Sequence, residues 1–181
     1  MKFNLSDFGK HKNFAPLSLT KPIACLRMGI FTNTERYTAY LPEAQIGYET
    51  EDYLAKKYPS LSCDLVVNAC VIPNPEFIAA LVHLEENQSL YAKDVLVARK
   101  GSGKEKVEYT GLEVIILEHR WHMFQKNEQT LSVDFVQVTE NRTSQTLSDS
   151  NLLIGDAKDL FLEEGAHVEG ATLNTTNGPI Y

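Results

Sequence analysis

The sequence predicts an α/β fold followed by the first coil of a parallel β-helix. The α/β prediction depends on a continuously apolar, β-branched run, Cys63–Val71, which is followed by a helix-start signal at Asn74. Such a run is typical of a strand that is buried on both faces of a parallel sheet. From Leu162 onward, apolar or small residues recur every six positions. We therefore expect a domain with a mostly parallel sheet in residues 1–150 and a hexapeptide-repeat segment in residues 151–181.

The composition is that of an ordinary globular protein with an acidic balance. The 181 residues are 43% hydrophobic and 23% charged, which is enough for one good core. A net charge of -7 excludes broad electrostatic binding to nucleic acid or to an anionic membrane, so any anion site must be local. No apolar run approaches a membrane span and the amino terminus is too polar for a signal peptide, so we expect a cytoplasmic protein. Three cysteines without a C-x-x-C pair support neither a disulfide framework nor a zinc site.

The segment Asn13–Ile30 predicts a rigid loop that presents cations. It contains two prolines, no acid, and the basic side chains of Lys21 and Arg27. Each proline fixes φ and pushes the preceding residue toward extended geometry, which excludes a helix interior. Backbone amides in a constrained turn, together with a lysine point charge, suit a phosphate-bearing ligand. The alternative is an ordinary solvated surface loop.

Local signals predict the remaining elements. Asn74, Pro75 and Glu76 are typical of an N-cap, a first helical position and an acidic first turn, so a helix is expected to follow. Thr50 is the expected cap of another helix that ends before a proline. The other predicted elements are a strand at 2–5, helices within 32–40, 51–58 and 118–129, strands at 94–98, within 107–117 and at 132–138, and a polar link at 139–150.

Several polar residues are candidates for a site, each with a structural alternative. Asn68 and Asn74 follow the central strand, where open α/β sheets bind ligands, but either amide could instead serve the backbone. The basic turn 99–104 ends like a phosphate loop, yet it lacks the upstream glycine and the following helix of that motif. His119 and His122 share one side of a predicted helix without a third ligand nearby, which favours packing over metal binding.

The tail pattern is that of a β-helix that has only begun. The hexads starting at Leu162 and Val168 each have a small residue in fifth place, Ala166 and Thr172, and partial hexads follow. Small residues at fixed places fit the corners of a three-sided coil. A β-helix needs about three repeats to bury its core, so we expect this chain to be the amino-terminal piece of a longer protein.

Several of these segments together resemble a known bacterial family. They are residues 14–30, which contain Pro-Leu-Ser-Leu-Thr-Lys-Pro, residues 50–54, Val67-Asn68, residues 121–124 and 147–151, and the blocks 161–166 through 174–181. On these residues the chain resembles the sugar nucleotidyltransferases that are similar to the bifunctional N-acetylglucosamine-1-phosphate uridylyltransferase/acetyltransferase. The resemblance covers nearly the whole chain, and its last block is the most specific. It implies a Rossmann-like domain, a left-handed β-helix that continues into an acyltransferase-like region, and a homo-oligomer formed through that β-helix.

The resemblance also implies a reaction and its residues. A nucleotidyl group would pass from a nucleoside triphosphate to a sugar 1-phosphate, with Mg²⁺ present and release of pyrophosphate. Lys21 is the implied catalytic residue that contacts phosphate. The implied substrate-binding residues are Lys12, Ser18, Arg27 and Asn68, although Arg27 could equally form a structural ion pair.

Two departures from the family pattern leave catalysis open. Active members of that family carry a glycine-rich segment ending in Arg before the proline loop, whereas this chain has only Gly9 there and Asn13 near the place of the Arg. They also carry a Gly-Asp pair after the central strand, where this chain has Asn68-Ala69. Because an amide is a poor substitute for a carboxylate at a hard dication, no metal ligand is assigned. The alternative function is a non-catalytic domain that binds nucleotide or sugar phosphate, or that builds oligomers.

Overall fold

The computed structural model describes all residues, 1–181, which divide into two compact units, 1–127 and 128–181. The strands are β1 Lys2–Ser6, β2 Arg27–Met28, β3 Phe31–Thr32, β4 Gln45–Glu49, β5 Leu65–Asn68, β6 Val71–Ile72, β7 Gln88–Ala92, β8 Val95–Lys100, β9 Glu105–Glu108, β10 Ile115–Ile116, β11 Leu152–Ile154 and β12 Thr172–Asn174. The helices are α1 Asn33–Tyr40, α2 Pro75–His83, α3 Arg120–Gln125 and α4 Asn127–Thr139. The domain division predicted at residue 150 stays a prediction.

One mixed six-stranded sheet organises the unit 1–127. Its strand order is β4-β1-β5-β8-β7-β9. β1 pairs in parallel with β4 and with β5, and β9 pairs in parallel with β7, while β8 runs antiparallel to both of its neighbours. The predicted α/β fold is therefore confirmed, and antiparallel pairing at β8 is the part that the buried pattern of β5 did not predict. Two short ribbons, β2 with β3 and β6 with β10, complete the unit.

Both long helices of this unit begin where their local signals predict. Thr32 accepts a hydrogen bond from the Glu35 amide, and the Glu35 side chain accepts one from the Thr32 amide, which makes a complete capping box for α1. Asn74 accepts from the Phe77 amide at 2.8 Å, with Pro75 as the first residue of α2. These caps satisfy amides that have no partner within the helix, so the helix starts could be predicted from local sequence alone.

Two predicted elements are wrong, and long-range contacts explain the first. No α-helix covers residues 51–58; only a 3₁₀ turn at Asp52–Leu54 forms. The expected cap, Thr50, donates its hydroxyl to the Asp7 carboxylate at 2.6 Å instead of capping a helix. The predicted strand at 132–138 is part of α4, in which Thr130, Asp134 and Phe135 are buried at helical spacing. Seven residues of apparent alternation were too few to distinguish the two periods.

The unit 128–181 contains α4 and a short region of stacked chain. β11 pairs in parallel with β12, and Leu160 bridges Ile180 in parallel, both with a spacing of 20 residues. Stacking of segments in parallel agrees with one turn of a coil, although 20 is not a multiple of six. A continuous β-helix is not confirmed and stays a prediction. No helix in the chain is both long enough and apolar enough to cross a membrane.

Candidate functional site

The carboxyl ends of three adjacent parallel strands form one polar edge of the sheet. Ser6 at the end of β1 is in register with Glu49 of β4 and with Asn68 of β5. A cavity of about 300 Å³ lies at this edge, lined by residues 6–9 and 49–52 together with His11. Open α/β sheets bind ligands at the carboxyl ends of their strands, so this edge is the place to search for a site.

A buried carboxylate holds the loop that follows β1. Asp7 is 3% exposed, and its Oδ1 accepts a hydrogen bond from the Ile23 amide at 3.0 Å. Its Oδ2 accepts from His11 Nδ1 at 2.7 Å and from the Thr50 hydroxyl at 2.6 Å. The other ring nitrogen of His11 lies 3.2 Å from the Tyr53 hydroxyl. Because Asp7 holds both His11 and Ile23, the loop between them is fixed at its two ends.

A second internal bond holds the middle of this loop. Ser18 is fully buried and donates its hydroxyl to the His11 carbonyl at 2.7 Å. The Lys21 amide donates in turn to the Ser18 carbonyl at 3.2 Å. The structure thus places Ser18, an expected substrate ligand, inside the loop, where its hydroxyl supports the backbone next to Lys21.

The three expected cations differ in their partners. Lys12 is exposed and Lys21 is half-buried, and neither ammonium has a hydrogen-bond or ion-pair partner. Arg27 donates to the Ile30 carbonyl and to Glu35 Oε1, the latter at 2.9 Å, in an exposed ion pair. Arg27 thus forms the structural ion pair that was the alternative to substrate binding. Uncompensated positive charge on this loop therefore belongs to the two lysines.

The two asparagines at this end of the sheet are used by the backbone. Asn68 is 1% exposed; its amide nitrogen donates to the Leu96 carbonyl at 2.8 Å, and its oxygen accepts from the Cys70 amide at 2.9 Å. Asn74 caps α2. Burial next to Asn68 raises the pKa of the Cys70 thiol to about 12. Both asparagine side chains thus hydrogen-bond to the backbone, which was the alternative to ligand binding.

Comparison with known families decides which kind of protein has this arrangement. A sequence profile of the family described as sugar nucleotidyl transferase matches residues 4–143, most of the chain. The chain belongs to the sugar nucleotidyl transferase family. No curated protein matches the chain significantly. The resemblance found in the sequence is confirmed for this general family, and the finer likeness to the uridylyltransferase/acetyltransferase stays a prediction.

The carboxylates of Glu49, Glu51 and Asp52 line the cavity at this edge, but they do not form a converging ligand set for the magnesium ion that such a transferase implies. The Asp7 carboxylate already accepts three hydrogen bonds, and both amide atoms of Asn68 have backbone partners. No three His, Cys, Asp or Glu side chains converge on a point that could hold a metal. The residues present therefore do not fit a magnesium ion held by the protein.

The Asp7 network could not be predicted in full from the sequence. Asp7 directly follows β1, and His11 follows it by four residues, but the polar stretch 6–13 has no local pattern that indicates their hydrogen bond. The position of an acid immediately after the first strand was the available signal, since that is where ligand-site residues lie in such sheets. The contribution of Thr50, 43 residues away along the chain, had no local signal.

Proposed function

We propose that residues 1–127 bind a nucleoside triphosphate and a sugar 1-phosphate and transfer a nucleotidyl group between them. The observation that carries the proposal is the pair of unpartnered ammonium groups, Lys12 and Lys21, on a loop fixed by the buried Asp7 carboxylate at the carboxyl edge of the sheet. Membership of the sugar nucleotidyl transferase family supports it.

In the proposed reaction an oxygen of the sugar 1-phosphate attacks the α-phosphorus. A new P–O bond forms, the bond to the β-phosphate oxygen breaks, and pyrophosphate leaves with its negative charge. Such a displacement requires little covalent chemistry from the protein, so positioning and cations that meet the developing charge supply the rate enhancement. Lys21 is the proposed phosphate contact during the reaction, and Lys12 a second one. Asp7 and Ser18 are positioning residues because they hold the backbone that carries both lysines.

The finer parts of the family resemblance belong to the same proposal. Magnesium enters only as the counter-ion that a nucleoside triphosphate carries. The parallel stacking of β11 on β12 supports the start of a β-helix in residues 151–181. An acyltransferase-like β-helix and an oligomer formed through it are proposed on the family resemblance alone. Direct substrate contacts by Ser18, Arg27 and Asn68 stay predictions from the sequence, and in the structure each of these side chains has a partner within the chain.

One observation favours a second candidate, a domain that binds nucleotide or sugar phosphate without catalysis. At the end of β5 the chain has Asn68, whose two amide atoms serve backbone groups, where active relatives are expected to carry a magnesium-binding acid. A site without that acid can still bind phosphate through Lys12 and Lys21.

Calorimetric titration of the whole chain with UTP, dTTP and several sugar 1-phosphates, with and without Mg²⁺, tests the proposal. Charge-assisted hydrogen bonds contribute roughly 1.5–3 kcal/mol, so Lys21→Ala should weaken triphosphate binding about 10- to 100-fold. Lys104→Ala is the matched control, because Lys104 is also exposed and unpartnered but follows β8, at the amino end of β5.

A pyrophosphate-release assay on the same samples separates the two candidates. Release that depends on both substrates and on Lys21 supports the transferase. Binding without release supports the non-catalytic domain. If a folded chain binds none of these ligands, both candidates are wrong.

A further inference from the structure

The segment just before and within α3 presents an aromatic surface that the proposed chemistry does not use. The rings of His119 and Trp121 stack with centroids 4.2 Å apart and planes 12° from parallel. Trp121 is 47% exposed although it is the only tryptophan of the chain. A large exposed ring that is already ordered by a neighbour is a surface on which another flat ring can stack at low entropic cost.

Hydrogen bonds connect this aromatic pair to the loop that carries the lysines. Asn13, the residue after Lys12, donates its side-chain amide to the Glu118 carbonyl at 3.1 Å. The Lys10 ammonium lies 3.7 Å from the Glu118 carboxylate. Because Glu118 immediately precedes His119, these two contacts place the first part of the lysine loop next to the aromatic pair within the unit 1–127.

A backbone hydrogen bond fixes His122, the ring that packs edge-on against His119. The Glu118 amide donates to His122 Nδ1 at 3.1 Å, which requires that nitrogen to be without a proton. Burial, together with the nearby Lys126 and His119, lowers the pKa of His122. A neutral His122 ring, edge-on to His119 at 5.6 Å, keeps the pair in place without adding charge.

We propose that the exposed ring of Trp121, stacked on His119, binds the base of the nucleoside triphosphate whose phosphates meet Lys12 and Lys21. This inference rests on the proposed function, since it names where the base of that same ligand lies. Stacking is tolerant of base identity because every base has a π-face, so the ring contributes affinity more than selectivity. The Arg120 guanidinium lies over the Trp121 ring, 5.7 Å from its centroid, and is itself a planar cation on which a base can stack.

The single tryptophan gives a direct test in the unmodified chain. Titration with UTP should quench Trp121 fluorescence, whereas inorganic triphosphate, which has the phosphates without the base, should bind with little quenching. Base–aromatic stacking energies predict that Trp121→Ala weakens UTP binding about 5- to 100-fold in calorimetry. The same variant should leave the affinity for inorganic triphosphate within about twofold, and Trp121→Phe should retain most of the UTP affinity.

Phe124→Ala is the matched control, because Phe124 is an even more exposed ring, 86%, on the same helix. It should change UTP affinity by less than about twofold. The stacking proposal is wrong if UTP binds in a Lys21-dependent way but Trp121→Ala binds it as tightly as the parent does, which would leave the proposed function standing. A change of oligomeric state in Trp121→Ala without loss of UTP affinity also overturns it and assigns the ring to a contact between copies. If neither UTP nor inorganic triphosphate binds, the proposed function is wrong and this inference falls with it.

Discussion

Two basic, glycine-containing segments of the chain differ in how they are anchored. The loop between Asp7 and Ile23 lies at the carboxyl edge of the parallel strands and is held by a buried carboxylate. The turn 101–104 lies at the amino end of β5 and is held by backbone and surface groups. One of its hydrogen bonds is donated by the Gly101 amide to the Asp64 carbonyl at 3.0 Å. In sequence both are basic segments, and neither has the full glycine pattern of a phosphate loop. The comparison shows that a basic side chain is a better candidate for a binding site when a buried group fixes its loop. The neighbouring residues in sequence are a weaker guide.

Removal of the buried anchor should have the largest effect. Asp7→Asn keeps the shape but replaces an acceptor that serves three donors, so we expect a loss of about 2–4 kcal/mol in the free energy of unfolding. Denaturant unfolding followed by circular dichroism measures it. Asp64→Asn is the control, because the exposed Asp64 side chain has no partner and holds the turn only by its backbone; it should cost under about 0.5 kcal/mol. Equal losses in the two variants would contradict the anchoring difference.

The two ends of β5 should differ in the reactivity of their cysteine thiols. Cys70, beside Asn68, is fully buried, whereas Cys63, beside Asp64, is partly exposed. Burial raises the pKa of both thiols, that of Cys70 to about 12. Site-resolved alkylation by mass spectrometry should therefore label Cys63 at least about 100-fold faster than Cys70, which reacts only through opening of the fold.

The same buried thiol predicts a slope of stability with pH. Its pKa is raised in the folded state, so its contribution is complete below the pKa of the unfolded thiol, about 8.5, and is lost as the pH rises toward 12. Urea midpoints should fall across that window, and less steeply in Cys70→Ala. An equal slope in the variant would assign the effect to other groups, such as Tyr48, whose pKa burial also raises to about 12.

Glycine substitutions should give a smaller contrast. Gly9 in the first loop has φ +72 and open space where a Cβ would lie, whereas Gly103 has φ +60 and a Cβ there would contact the Ser89 hydroxyl. A left-handed residue with a side chain costs about 1–2 kcal/mol. On that basis we expect about 1 kcal/mol for Gly9→Ala and about 2 kcal/mol for Gly103→Ala in thermal unfolding. The reverse order would show that the first loop is the more constrained at its glycine.

The smallest effect should come from the paired cation after the first loop. Glu35→Gln keeps the capping box but removes the charge opposite Arg27, so stability should fall by less than about 1 kcal/mol. Burial raises the pKa of Glu35, but bonds from Thr32 and Arg27 lower it overall. The stabilisation is therefore present above about pH 4.5 and is lost as the pH falls. A screen of unfolding midpoints against salt should show the same small difference vanish at high ionic strength.

The sequence predicted those features of the structure that depend on residues close together along the chain. Asn74, Pro75 and Glu76 define the start of α2 within three residues, and the structure has it there. The hydroxyl of Thr50 has equally local reasons to cap a helix, yet Asp7, far away in sequence, binds it. The lysines of the loop could be identified, but their anchoring by Asp7 requires Ile23 and Thr50 to meet one carboxylate, and no local pattern encodes that. Residues 132–138 show the remaining limit, since a short alternating window fits either period.

The position of β1 in the sheet also bears on the order in which the chain is made. β1 pairs only with β4 and β5, so Phe3 and Leu5 have no strand partner until residues 45–68 have been synthesised. At roughly 5–20 residues per second, that interval lasts several seconds. During it the first strand has no sheet partner, and a pause in translation before residue 68 would lengthen that interval.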